Sequence, residues 1–214
     1  MQRKRRRSQR AGAATEERLL QAVEELMRSH GLAQITTRDI ARAAGLAEGA
    51  LYNHFRNKNE LFIAVLVRNV AEFSHVIQDL PLRVGQATVL DNLRPVAEAA
   101  AVFHIKVAPL ICSLLADQKL LADVRRWMQE RRIGPQRSAE ALGAYIAAEQ
   151  RLGRITSEVD AAAAAGLILG TSFQMAVLRH FSGRPPNQRR SRARMRHAIQ
   201  ALVIGLTPRV TGKT

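Results

Sequence analysis

Between Thr36 and Phe55 the chain reads TTRDIARAAGLAEGALYNHF, and this stretch limits the possible folds more tightly than any other. Thr36 is a helix N-cap with Asp39 three residues on, a capping-box variant that also favours the helix dipole. Ile40, Ala41 and Ala44 make one apolar face. Gly45 ends it, because glycine takes the positive φ that a sharp turn requires. A second short helix, roughly Glu48 to Phe55, follows at once. Ala41 is small enough to let that helix cross closely, and Ile40, Leu46 and Leu51 point inward to pin the pair. Two helices joined in this way form a helix-turn-helix, whose second helix projects its polar outer face.

The flanking sequence is helical too. Leu19, Leu20, Val23, Leu26 and Met27 recur at helical spacing from Thr15 to His30, with Gly31 as a stop. NKNELFIAVLVRNVAEFSHVIQDL reads as a long amphipathic helix ending before Pro81. Gly85, Pro95, Pro109, Gly134-Pro135 and Gly153 then divide the rest into helices at about 86–107, 109–116, 118–133, 135–152, 158–181 and 190–206, with Pro95 able to kink the first. No alternating Val/Ile/Thr pattern occurs, and aromatic residues make up only 4% of a chain rich in Ala and Leu. The expected fold is all-α: a basic disordered arm over 1–12, a three-helix domain over 13–60 and a helical body over 61–208.

The formal charge of +15 is unevenly placed. Residues 1–10 (MQRKRRRSQR) and 184–197 (RPPNQRRSRARMRH) each hold six Lys/Arg and no acid, which leaves +3 for everything else. Such segments suit polyanions, nucleic acid first and an anionic membrane second. The single cysteine, Cys112, rules out an internal disulfide and fits a reducing cytoplasm. No apolar run of signal-peptide type follows RAGAATEER, so a cytoplasmic location is expected. Residues 161–178, AAAAAGLILGTSFQMAVL, carry no charge over nearly a membrane-spanning length. A helix apolar all round is more often buried in a core or an interface, so no membrane partner is expected.

The outer face of the second motif helix carries Glu48, Gly49, Ala50, Tyr52, Asn53 and His54. Its small residues permit close approach to base edges, and Tyr52, His54 and Lys58 are long enough to reach phosphates on either side. The run TTRDIARAAGLAEGALYNHFRNKNEL resembles the N-terminal domain of the TetR/AcrR (tetracycline-repressor-like) transcriptional regulators. The likeness rests on Thr37-Arg38, Ile40-Ala41, Ala44-Gly45-Leu46, Gly49, Leu51-Tyr52, His54-Phe55, Lys58 and Leu61, within about residues 15–61. It implies that Thr37 and Arg38 hold phosphate or reach a groove-edge base, and that Glu48, Gly49, Ala50 and Asn53 face the major groove. Tyr52, His54 and Lys58 would clamp the backbone. Two departures stand out. Ala47 replaces the hydroxyl residue that caps the recognition helix in many members, a loss of about 1 kcal/mol. Glu48 puts an acid near phosphates, either to stabilise the helix dipole or to accept a hydrogen bond from a cytosine amino group. The basic arm would follow the phosphates or enter the minor groove.

The resemblance also implies a C-terminal body that dimerises and encloses a small-molecule pocket. Gly166 and Gly170, with Ala162, make a flat face on the charge-free helix, and Ala139, Gly143 and Ala147 line a companion helix; together they are the expected dimer interface. Pocket candidates are Phe103, His104, Cys112, Trp127, Met128, Phe173 and Gln174, with Met175 beside them. Enzyme chemistry is not expected. The terminal TGKT lacks the upstream glycine of a phosphate-binding loop, the histidines lack metal-ligand spacing, and no G-x-S-x-G elbow exists. The expectation is a homodimeric repressor without metal or cofactor. It binds a palindromic double-stranded DNA operator and is released by a small-molecule effector. An effector-independent architectural DNA-binding protein and a protein anchored in a membrane by 161–178 are the alternatives.

Overall fold

The computed structural model describes residues 2–29, 34–131, 133–183 and 187–207, and all their side chains but those of 2–10, 28, 29 and 188. Gly31 and the terminal TGKT lie outside these. Nine α-helices occur among the described residues: α1 Gln2–Ser29, α2 Thr37–Ala43, α3 Glu48–Tyr52, α4 Lys58–Gln78, α5 Val89–Ala116, α6 Gln118–Glu130, α7 Pro135–Arg151, α8 Ala161–Phe181 and α9 Gln188–Leu206. A 3-10 turn, Leu80–Arg83, precedes α5, and no described residue is in a strand. The all-α expectation holds.

Two boundaries differ from the sequence reading. The arm expected to be disordered is helical backbone from Gln2, continuous with α1. Gln, Lys, Arg and Ala are good helix formers and no proline interrupts them. The expected helices at 86–107 and 109–116 are one helix, α5, which runs through both Pro95 and Pro109. Pro109 has no N–H to give the carbonyl of Ile105, four residues back. His180 Nε2, from α8, supplies that hydrogen bond instead, at 3.0 Å.

The chain forms two compact units, residues 1–69 with 109–126 and residues 70–108 with 127–214. The first half of α4 belongs with the N-terminal helices because Arg68 bonds Glu17 and Glu24 of α1 at 2.8 and 2.7 Å, and Asn69 bonds Glu24 at 2.6 Å. The interior of this unit contains Leu19, Val23, Ile35, Ile40, Leu51, Leu61 and Phe62, each at most 2% exposed.

In the second unit, α5, α7, α8 and α9 enclose Leu93, Val96, Ala97, Leu142, Ile146, Ala164, Ile168, Met195 and Ile199. A Cβ on Gly143 would sit 3.6 Å from the Ala161 carbonyl oxygen, so the small side of α7 packs on the start of α8. Gly143, expected at a dimer interface, is therefore buried inside the chain. Asp160 caps α8 through the Ala163 N–H at 2.6 Å. A buried polar clip fixes the entry to α5. Glu149 is fully buried, accepts from the Gly85 N–H at 3.2 Å and pairs with Arg154 at 3.3 Å. Arg154 also donates to the carbonyls of Gln86 and Ala87, while Asn92 donates to Arg83, Gln86 and the Tyr145 hydroxyl. Burial pushes the Tyr145 hydroxyl pKa well above its ordinary value.

Candidate nucleic-acid interface

The helix-turn-helix forms as its local chemistry dictates. Thr36 Oγ1 accepts from the Asp39 N–H and the Asp39 carboxylate accepts from the Thr36 N–H, both at 3.1 Å, closing the capping box. Gly45 takes φ +63, and the Leu46 N–H donates to the Ala41 carbonyl at 2.9 Å to close the turn. Arg18, which the sequence pattern did not single out, donates to the carbonyls of Ala44 and Gly45 at 2.6 and 3.1 Å. A cation on the last carbonyls of α2 answers both their unpaired lone pairs and the negative end of the helix.

Ala47 is extended and offers no side-chain cap, as expected. The recognition helix is shorter than predicted, ending at Tyr52. The chain then turns through hydrogen bonds from the His54 and Phe55 N–H groups to the Leu51 carbonyl, at 3.0 and 2.9 Å. Leu51 and Phe55 are buried, 0% and 5% exposed, and anchor α3 from behind. Its other side is open: Gly49 and Asn53 are exposed, Ala50 is half-buried, and Tyr52 is 54% exposed, unusual for a large aromatic side chain. Nothing lies within 4 Å of where a Gly49 Cβ would be. Gly49 sits in the first turn of α3 with ordinary φ, where alanine would be the better helix former by up to about 1 kcal/mol. Neither the turn nor the core needs a glycine there, so what it provides is clearance in front of the helix.

Three side chains expected at the phosphates are engaged within the protein. Thr37 donates its hydroxyl to Glu48 at 2.7 Å, and Glu48 lies 4.0 Å from the exposed Arg38. Glu48 thus ties the start of α3 to the start of α2. Lys58 donates to the Ile35 carbonyl at 3.0 Å, with its ammonium 5.7 Å from the centre of the Phe62 ring. The half-buried His54 ring lies beside α1, its Cε1 3.8 Å from where a Gly12 Cβ would be. Arg38, Gly49, Tyr52 and Asn53 remain as the outward set.

The expected pocket residues do not come together. Cys112 is exposed and belongs to the first unit, and Gln174 is exposed. Trp127 and Met128 are half-buried, with the Arg131 guanidinium 4.7 Å over the indole. Only Phe103, His104 and Phe173 meet: Phe103 stacks on Phe73 at 5.0 Å, and His104 sits between Phe103 and Phe173 at 5.0 and 5.5 Å. Ser172 commits its proton to the Leu169 carbonyl, so His104 Nδ1 is the donor in their 2.7 Å bond. Burial pushes the His104 pKa down to about 4, against a weaker opposing bond to the Ala100 carbonyl. The cavities lie elsewhere in this unit. One of about 300 Å³ is lined by His75, Val76, Asp79, Leu80, Arg83, Asn92, Pro95 and Val96. Another of about 240 Å³ opens between α8 and α9 at Leu167, Thr171 and Ala198. Gly166, Leu167, Gly170 and Leu178 form an exposed stripe along α8, with Ala162 in its first turn.

The family model described as bacterial regulatory proteins, tetR family, matches residues 19–65. The chain is 33% identical over 105 residues to the nucleoid occlusion factor SlmA of Marinobacter nauticus, covering 47% of this chain and 51% of that one. It is 39% identical over 61 residues to the transcriptional regulator TtgR of Pseudomonas putida, covering 28% and 29%. The matched segments thus span about half, or less, of these relatives' lengths. Solved structures share the fold over a longer span. The ketosteroid regulator KstR2 of Mycobacterium tuberculosis superposes with TM-score 0.66 at 18% identity, covering 91% of this chain and 95% of that one. FadR of Bacillus subtilis, solved with stearoyl-CoA, superposes with TM-score 0.64 at 18% identity, covering 89% and 98%. The match to that family's model thus covers the helix-turn-helix of the first unit, and the solved structures share the helical fold along most of the chain.

Proposed function

We propose that the protein is a dimeric transcriptional repressor that binds a palindromic DNA operator and leaves it when a small molecule occupies the second unit. The observation that carries this reading is the outer face of α3. Gly49 leaves space where a side chain would stand, while Tyr52 and Asn53 lie exposed beside it on a helix anchored by Leu51 and Phe55. Such a face lets backbone and short side chains approach base edges, with Tyr52 and Arg38 on flanking phosphates. Thr37 and Glu48 set the angle between the two motif helices. Lys58 reaches a phosphate only by exchanging its bond to Ile35 for one to DNA.

The exposed stripe on α8 supports the dimer. Gly166 and Gly170 have nothing within 4 Å of their Cβ positions, and Leu167 and Leu178 are each 58% exposed. A second copy laid along this stripe, with Ala139 and Ala147 of α7 beside it, covers apolar surface that otherwise faces water. Two recognition helices related by a two-fold axis read a palindrome. Release follows if an effector binds more tightly to a state whose recognition helices no longer match the half-sites.

Selection from a random duplex pool with the full-length protein tests the reading. The expected product is an inverted repeat, bound with one dimer or more per site, whose affinity falls at least tenfold in Tyr52→Ala. Uniform affinity across sequences, unaffected by that change, would instead establish an architectural DNA-binding protein.

A further inference from the structure

The second unit carries its own cationic surface, on the first half of α9. Arg189, Arg190, Arg192 and Arg194 are all exposed, and among the described residues none has a carboxylate within ion-pair distance. Arg196, one turn on, is held by Glu98 at 3.3 Å. The first turn also receives Arg179 from α8, whose Nη1 donates to Ser191 at 3.0 Å while its buried Nη2 has no partner. Arg189 and Arg192, like Arg190 and Arg194, stand one turn apart, where like charges repel and destabilise the helix. A solvated face normally mixes signs; this one does not.

We infer that the arginine-rich first half of α9 is a sequence-independent contact for the backbone of double-stranded DNA, additional to the helix-turn-helix. Its dimensions fit. At 1.5 Å per residue, Arg189 to Arg194 spans about 8 Å, over which a duplex carries roughly four to five phosphate charges. All four cations are arginines, whose planar forks bind phosphate oxygens bidentately. The other polyanionic surface, an anionic membrane, requires an amphipathic helix with a free apolar face to bury in the lipid. Here the apolar residues nearest the arginines are already in the core: Met195 and Ile199 are each 1% exposed, and the exposed Ile204 stands ten residues beyond Arg194, about 15 Å along the helix. What α9 leaves outside is two pairs of guanidinium groups, Arg189 with Arg192 and Arg190 with Arg194, suited to a charged polymer that is met without insertion. The contact reads no bases, so it adds affinity for any duplex.

The test uses the full-length protein, a labelled duplex of random sequence and fluorescence anisotropy across a salt series. Relative to the unaltered chain, the variant R189Q/R190Q/R192Q/R194Q is expected to lose about three to four units of the log K against log[salt] slope per chain, and at least tenfold in affinity. The corresponding all-lysine variant retains the slope. R189Q/R190Q and R192Q/R194Q each show about half the loss, which keeps the test available if the fourfold variant fails to fold by circular dichroism. A glutamine variant with unaltered slope and affinity overturns the inference. So does loss of sedimentation with phosphatidylcholine–phosphatidylglycerol vesicles in variants whose DNA slope is unchanged, which makes the surface a membrane contact. The outcome is separable from operator reading. Tyr52→Ala lowers the preference for a selected operator over random duplex, whereas the α9 variants leave that preference and reduce both affinities together.

Discussion

Glu48 offers the sharpest separation between two ways in which the recognition helix could work. Its carboxylate accepts the Thr37 hydroxyl at 2.7 Å and lies 4.0 Å from Arg38. A half-buried hydrogen bond to a charged acceptor contributes about 1–1.5 kcal/mol. The acid also meets the uncapped N–H groups of α3, for about 0.3 kcal/mol at this length of helix. The Arg38 side chain is 77% exposed, so that pair contributes close to nothing. Glu48→Ala therefore costs roughly 1–2 kcal/mol of stability, and Glu48→Gln, which keeps an acceptor for Thr37, under about 1 kcal/mol. The DNA side of the account has the opposite sign. A carboxylate about 7 Å from a phosphate is repelled by roughly 0.5 kcal/mol at ~10 mM salt and by about half that at ~0.15 M. For the proposed dimer, with two recognition helices, Glu48→Gln should bind the selected operator about fivefold more tightly at low salt and about twofold more tightly at physiological salt.

The assay pairs urea unfolding with anisotropy titrations of the selected operator and duplexes changed one base pair at a time. If Glu48 braces the motif, Glu48→Ala lowers the urea midpoint and leaves the ranking of the altered duplexes as it was. If the carboxylate instead accepts from a cytosine amino group, Glu48→Ala abolishes discrimination at one base pair, about 1–3 kcal/mol or tenfold and more. An unchanged midpoint combined with that single-position loss would refute the bracing argument.

Other consequences follow from the same geometry. Gly45→Ala forces a side chain into φ +63 with its Cβ 3.0 Å from Arg18 Nη2, and should lose about 1–2 kcal/mol by thermal or urea unfolding. Gly49→Ala should gain up to about 1 kcal/mol in the same assay yet weaken operator binding, because its Cβ stands in the clearance in front of α3. Glu149→Ala should lose about 2–4 kcal/mol in urea unfolding, somewhat below the figure for a fully buried pair because the Arg154 side chain keeps 25% of its exposure. His104 gives a pH dependence. Its folded pKa, about 4, lies below the unfolded value of 6.5, so its contribution is complete above pH 6.5 and is lost as pH falls toward 4. Between pH 7 and pH 5 the loss should be about 2 kcal/mol, and His104→Phe, titrated in parallel, should lack it.

What the sequence disclosed and what it withheld divide along chain separation. The capping box joins residues three apart, the turn combines the positive φ of Gly45 with a hydrogen bond between Leu46 and Ala41, and Leu51 and Phe55 repeat at helical spacing from each other. Each of these is decided locally, which is why the motif, its uncapped Ala47 and its exposed face could be read without coordinates. Arg18 reaches carbonyls 26 and 27 residues away, Lys58 one 23 residues back, and Glu149 a backbone N–H 64 residues distant. None of these contacts has a sequence period, so none could be found by spacing. Pro109 shows how a local rule fails: its missing N–H should end a helix, but His180, from α8, satisfies the stranded carbonyl and the helix continues. The placement of the pocket candidates was hidden for a related reason. Phe103, His104 and Phe173 are aromatic, and such residues fill whatever interior lies between helices; here Phe103 closes against Phe73 and His104 against Phe173, in ring contacts. The basic segment at 184–197 was visible as charge, whereas its use depends on which side of α9 the core has taken. Met195 and Ile199 settle that by facing inward, so the arginines around them are left to meet a partner from outside.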